Sequence, residues 1–84
     1  MKIKRVFITG VFGYLGAALA EVLVRDGIDV FGIDSLAYEQ DYESICKQIS
    51  GNGSGSFNYN LADTRDAQLV SRLISDWGPD CIVH

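Results

Sequence analysis

A short apolar run that breaks into closely spaced glycines and resumes as a helix constrains this chain more than any other feature. Val6-Phe7-Ile8 ends at Thr9-Gly10, as expected for a strand buried on both faces of a parallel sheet. The turn Gly10-Val11-Phe12-Gly13-Tyr14-Leu15-Gly16 follows. From there Leu15, Ala18, Leu19, Val22 and Leu23 recur at i, i+3, i+4, i+7 and i+8, one face of a helix that closes at Arg25-Asp26-Gly27. Any tight turn favours glycine, so the glycines alone say little. Their position between a strand and a helix says more. The backbone must turn sharply there and let an anion approach without Cβ atoms in the way. Unpaired N–H groups at the positive end of the helix dipole would face that anion.

The same alternation continues along the chain. Residues 28–33 read as a second strand closed by Asp34, and Tyr38, Tyr42, Ile45, Cys46 and Ile49 repeat at helical spacing, which predicts a helix over residues 38–50. Residues 50–56 are rich in Gly and Ser and read as a flexible helix-to-strand connection. Phe57, Tyr59 and Leu61 alternate with Asn58 and Asn60 as a third strand. Leu69, Val70, Leu73, Ile74 and Trp77 mark a third helix closed by Gly78-Pro79, and Cys81-Ile82-Val83 begins a fourth strand. The order βαβαβαβ with right-handed crossovers implies an α/β, Rossmann-type doubly wound parallel sheet, with residues 1–84 forming one partial domain.

The glycine spacing, Gly10-x-x-Gly13-x-x-Gly16, differs from the commonest dinucleotide fingerprint. Thr9 to Gly16, TGVFGYLG, resembles the TGxxGxxG signature of short-chain dehydrogenases/reductases, and its Gly-Tyr-Leu-Gly ending resembles the extended branch of nucleotide-sugar epimerases, dehydratases and reductases. Asp34-Ser35-Leu36 is similar to that branch's Asp-Asn-Leu after the second strand. Ala62-Asp63-Thr64-Arg65-Asp66 is similar to its Gly-Asp-x-Arg-Asp after the third, and residues 79–84 to the start of its fourth strand. Ser35 for Asn weakens one polar contact near the ribose, and Ala62 for Gly adds bulk near the adenine.

The resemblance implies a cofactor site made of Gly10, Gly13, Tyr14, Leu15, Gly16, Asp34, Ser35, Leu36, Asp63 and Thr64. Tyr14 and Leu15 would meet the pyrophosphate through backbone N–H groups, their side chains serving packing, and Gly16 would let helix and strand pack closely. Asp34, about 20 residues beyond the turn, would accept from both ribose hydroxyls. Its charge would repel a 2′-phosphate, and no Arg or Lys follows before Lys47, so NAD is expected in preference to NADP. Asp63 would accept from the adenine amino group while the Thr64 main chain meets the ring edge. The simpler alternative makes Asp63 or Thr64 the N-cap of the third helix.

In the family a Tyr assisted by a Lys four residues later is the acid/base, with a Ser or Thr orienting the substrate. No Tyr here has that Lys, and Tyr42 is followed by Cys46. The chain is therefore expected to lack catalytic residues and to be inactive alone. It reads as a fragment of a longer NAD-dependent nucleotide-sugar epimerase or dehydratase whose substrate domain is absent. The alternative is a stand-alone NAD-binding or sensing module. His84, the one histidine, is expected to be structural, and Trp77 and the four tyrosines to be core.

The formal charge of −4 with no basic patch argues against nucleic acid as a partner. Lys2, Lys4 and Arg5 read as a solvated lead-in to the first strand. Cys46 and Cys81 are far apart, without metal-ligand spacing, and read as two reduced core thiols. No apolar stretch has the ~18 residues of a membrane helix, so a cytoplasmic protein is expected. In the usual strand order 3-2-1-4 the fourth strand would be an exposed edge, which predicts self-association.

Overall fold

The computed structural model describes residues 2–35, 42–51 and 53–84. The elements are β1 (Arg5–Thr9), α1 (Tyr14–Arg25), β2 (Asp29–Asp34), α2 (Tyr42–Ser50), β3 (Phe57–Leu61), α3 (Ala67–Trp77) and β4 (Cys81–Val83). The strands form one parallel sheet in the order β3-β2-β1-β4. Val6 stands beside Val30 on one side and Cys81 on the other, which makes β1 a central strand. The expected start of the second helix at Tyr38 lies outside the described residues.

Alternation along β1 feeds two layers. Val6 and Ile8 point into the larger one, where Val11, Phe12, Ala20, Val24, Val30 and Ile49 are buried beneath α1 and α2. Phe7 points the other way and joins Ile33 and Ala62 beneath α3, with Phe31 stacked on it at 5.6 Å. One reversal of direction across the sheet accounts for the split. The β1–α1–β2–α2–β3 crossovers run in one direction across the sheet, and the β3–α3–β4 crossover returns in the other, so right-handedness puts α3 on the opposite face.

The buried face of α1 differs from the one its periodicity predicts. Ala20 and Val24 are fully buried, and Leu19 and Leu23 pack beside them. Leu15 and Val22 are 78% and 49% exposed. Small residues decide this: a Cβ on Gly16 would stand 2.4 Å from the Gly10 carbonyl oxygen, so the helix touches the turn along its Gly16–Ala20 side. Tyr14 is also exposed, and Tyr59 is 44% exposed on the outermost strand, so neither is a core residue. Tyr38 and the Tyr42 side chain lie outside the described residues.

Arg5 is more than a lead-in. It opens β1, places its guanidinium over the Trp77 ring at 5.3 Å and donates to the Trp77 carbonyl. Trp77 itself packs under the sheet against Phe31. Cys46 and Cys81 are free and half-buried on the α1 side of the sheet. Residues 53–56 are seated on the α1–β2 junction, where the Gly55 amide donates to Val24 and Ser56 donates twice to the Asp29 carboxylate. Among the described residues, no helix is long and apolar enough to cross a membrane.

Candidate functional site

Gly10 leaves β1 in the left-handed region, φ +67°, where a side chain would be strained. The reversal aims the next amides at the end of β2. Those of Gly10 and Val11 share the Ile33 carbonyl at 2.8 and 3.1 Å, and that of Phe12 donates to the Asp34 carboxylate at 3.0 Å. Gly13 donates back to Gly10 at 2.9 Å and is the N-cap of α1, with no side-chain cap bond. The turn is thus satisfied internally. The first amides of α1, at Tyr14, Leu15 and Gly16, lack carbonyls four residues back within the helix. They open onto the C-terminal edge of the sheet, at the β1/β4 position where the strand order reverses.

Two cavities flank this turn. One of about 300 Å³ is lined by Gly10, Gly13, Asp34, Ser35, Asp63 and Thr64. The other, about 500 Å³, lies toward β4 and is lined by Thr9, the turn glycines, Tyr14, Leu15, Leu19 and the Val83-His84 end. Ser35 and Thr64 are exposed and Asp34 is 9% exposed. The structure therefore brings Gly10, Gly13, Asp34, Ser35, Asp63 and Thr64 together on one side of the turn, and Tyr14, Leu15 and Gly16 on the other. Leu36 lies outside the described residues.

Two expectations need correction. Asp63 and Thr64 do not cap the third helix; Asp66 does, accepting from the Leu69 amide at 3.2 Å, because α3 begins at Ala67. The Tyr14 and Leu15 side chains do not pack within the described chain, since the first turn of α1 projects past the sheet edge with 91% and 78% of them exposed.

Asp63 is instead gripped by Arg65. The Arg65 amide donates to Oδ1 at 2.9 Å, Nε to both oxygens at 3.1 Å, and Nη2 to Oδ2 at 2.7 Å. These bonds hold the Asp63 carboxyl down to about 2. Sequence reasoning overlooked Arg65, although its place two residues after Asp63 was legible. It also overlooked Phe12, whose amide reaches Asp34 and whose ring meets Tyr59 edge-on at 5.0 Å. Thr9 was overlooked too; its hydroxyl shares a hydrogen bond with His84 Nδ1 at 2.9 Å, tying the ends of β1 and β4. That bond gives His84 a structural partner.

The residues present fit a dinucleotide. A glycine cradle open to solvent leaves room for a pyrophosphate: a Cβ on Gly10 would meet nothing within 4 Å. Two carboxylates, those of Asp34 and Asp63, line the cavity beside that cradle. Among the described residues, no group of three or more His, Cys, Asp or Glu is placed to hold a metal ion.

Comparison with known proteins shows what the chain is similar to. Residues 7–84 match the family described as GDP-mannose 4,6 dehydratase. A dTDP-glucose 4,6-dehydratase of Salmonella typhimurium is 28% identical over 81 residues, covering 95% of this chain and 22% of that protein. A UDP-glucose 4-epimerase of Mycolicibacterium smegmatis is 32% identical over 80 residues, covering 95% and 24%. The Bordetella bronchiseptica enzyme WbmH, solved in complex with NAD+, superposes with a TM-score of 0.74 at 34% identity, covering 99% of this chain and 26% of that one. The chain thus spans about a quarter of the length of these relatives.

Proposed function

The chain belongs to the GDP-mannose 4,6-dehydratase family of extended short-chain dehydrogenases/reductases, and from that premise we propose that it forms the adenosine- and pyrophosphate-binding part of an NAD-dependent nucleotide-sugar epimerase or dehydratase. The observation that carries this reading is the position of Asp34. Its buried carboxylate lines the same cavity as Gly10, Gly13 and Asp63, one hydrogen bond from the glycine turn.

Each residue then has a task. The first amides of α1 take the pyrophosphate, aided by the helix dipole. Asp34 accepts from the ribose hydroxyls, with Ser35 beside it and Leu36 next in sequence, and its charge disfavours a 2′-phosphate, so NAD is preferred to NADP. Asp63 accepts from the adenine amino group, and the Thr64 main chain meets the ring edge. The nicotinamide, once bound, supplies hydride transfer at the sugar, and this chain's part is to hold and orient the other half of the cofactor. Without a Tyr-x-x-x-Lys pair, the 84 residues alone perform no chemistry. The reading includes a cytoplasmic location, which suits two free thiols. Nucleic acid is not a partner on this reading, given the net charge of −4.

Calorimetric titration with NAD, NADP and ADP-ribose, repeated on Asp34→Ala, tests the proposal. Saturable binding is expected, tighter for NAD than for NADP and weakened by the substitution. A folded chain that gives no heat with any of the three ligands would reduce the reading to fold and ancestry.

A further inference from the structure

His84 is the chain's one histidine, and the cofactor reading gives it no task. It lines the cavity of about 500 Å³ on the β4 side of the glycine turn, together with Tyr14, Leu15 and Gly16, whose amides open α1. The two cavities that flank the turn differ in charge. The one beside Ser35 and Thr64 is lined by the Asp34 and Asp63 carboxylates and by no cationic side chain. The other is lined by no side-chain carboxylate, and His84 is the one lining residue able to carry a positive charge. Neutral hydroxyls and amino groups can donate to the carboxylate side. A pyrophosphate is repelled there and belongs on the His84 side.

We infer that His84 is a further cofactor-binding residue, whose Nε2–H donates to the pyrophosphate alongside the first amides of α1. The inference rests on the cofactor reading above. Thr9 fixes which ring nitrogen is left for the ligand. Its hydroxyl meets His84 Nδ1 at 2.9 Å, while the Val83 carbonyl, its other acceptor, is at 3.5 Å. The hydroxyl therefore donates to Nδ1, and the proton of the neutral ring stands on Nε2. When the ring takes a second proton, Nδ1–H donates to Thr9 and the hydroxyl turns to Val83. Nε2 is thus a donor in both charge states, as an anionic ligand requires. Protonation adds charge to a hydrogen bond that already exists, which strengthens it.

A dependence on pH follows from the groups around the ring. β1 presents Thr9 to this cavity and β4 presents Val83, neither of which titrates. α1 presents Tyr14, and a phenol is neutral over the range where histidine changes charge, between pH 5 and 8. Asp34 and Asp63 lie across the turn, and in the 84-residue chain His84 also carries the α-carboxylate. A pyrophosphate diester keeps its charge throughout that range. The protonated ring binds it better, so affinity should rise as pH falls.

ADP-ribose, which carries the pyrophosphate without the nicotinamide cation, is the probe. Calorimetry on the full chain at pH 8 and pH 5.5 should show its binding tighten by about three- to tenfold, the margin of a charge-assisted over a neutral hydrogen bond. His84→Gln keeps a donor without the charge, and its response should fall below about twofold. Because the chain has one histidine, its ring signals need no assignment in NMR spectra. By linkage the imidazole pKa should rise by about 0.5–1 on saturation with ADP-ribose, and 15N shifts at pH 8 should place the proton on Nε2. The ring titration uses wild type alone, so it decides the matter even if the variant unfolds. ADP-ribose that binds with the same pH response in His84→Gln, or leaves the ring pKa unmoved, overturns the inference and leaves the cofactor reading intact. So does a neutral ring whose proton stands on Nδ1 in the complex. A folded wild type that binds no ADP-ribose at either pH removes the cofactor reading itself, and the inference with it.

Discussion

The main-chain N–H of Phe12 donates to the Asp34 carboxylate at 3.0 Å, across 22 positions of sequence. The bond joins the middle of the glycine turn to the end of β2. One carboxylate thereby serves two ends: it braces the loop suited to a pyrophosphate and lines the cavity suited to a ribose. Stability and cofactor preference should therefore respond differently to different substitutions at Asp34.

Asp34→Ala leaves the Phe12 amide without this acceptor in a buried setting. It should cost about 1–3 kcal/mol, read from urea denaturation, and weaken NAD binding. Asp34→Asn keeps an oxygen that can accept from Phe12 and should retain most of the stability. Without the negative charge it should narrow the preference for NAD over NADP. Equal loss of stability in the two variants would show that the Phe12 bond does not brace the turn.

Two glycines should resist alanine for different reasons. A Cβ on Gly32 would stand 2.4 Å from Val11 Cβ, and one on Gly16 would stand 2.4 Å from the Gly10 carbonyl oxygen. Overpacking at either should cost about 1–3 kcal/mol. Gly16→Ala should also push α1 off the turn and weaken ADP-ribose binding further than Gly32→Ala does. Thermal melts paired with calorimetry separate the two effects, and a Gly16→Ala variant as stable as wild type would contradict the close approach.

Acid titration should report on the Asp63–Arg65 pairing. Its carboxyl is lowered from 3.8 to about 2, first by the Arg65 side chain and then by the Arg65 amide. A lowered pKa means the pairing contributes fully above 3.8 and is lost as pH falls from there through about 2. In Arg65→Ala the carboxyl should titrate nearer its ordinary value. Carboxyl NMR follows both directly, and a wild-type Asp63 that titrates near 3.8 would argue against a persistent pairing.

The β4 edge should make the 84-residue chain associate with itself. Ile82 is 50% exposed on the outermost strand beside β1, and open edges with apolar side chains template further pairing. Sedimentation should show concentration-dependent oligomers in the micromolar range typical of such surfaces. Ile82→Lys should shift the population toward monomer. A compact wild-type monomer throughout that range would be the opposite result.

Local pattern made much of this legible before any coordinates. The apolar run Val6–Ile8, the glycine turn and the returning strands are short-range signals that mark the observed elements, and the order β3-β2-β1-β4 is the usual one expected for them. The acidic positions were legible for a similar reason: Asp34 and Asp63 follow strands whose ends must lie at one edge of a parallel sheet. Periodicity was less reliable for burial. It marked Leu15 and Val22 as an inner face of α1, but hydrophobic spacing is blind to which side of a helix is small enough to meet the turn, and Gly16 and Ala20 decided that.

The sequence by itself determined which segments are strands and helices, and where glycines interrupt the side chains between β1 and α1, because backbone propensity and glycine geometry act over a few residues. Only the tertiary structure decided which groups hold one another: Phe12 on Asp34, Arg65 rather than a helix end on Asp63, Thr9 on His84, and Asp66 as the cap of α3. Hydrogen bonds form within about 3 Å. Whether two polar groups come that close depends on how the crossovers stack and where each helix begins, which spacing along the chain does not specify.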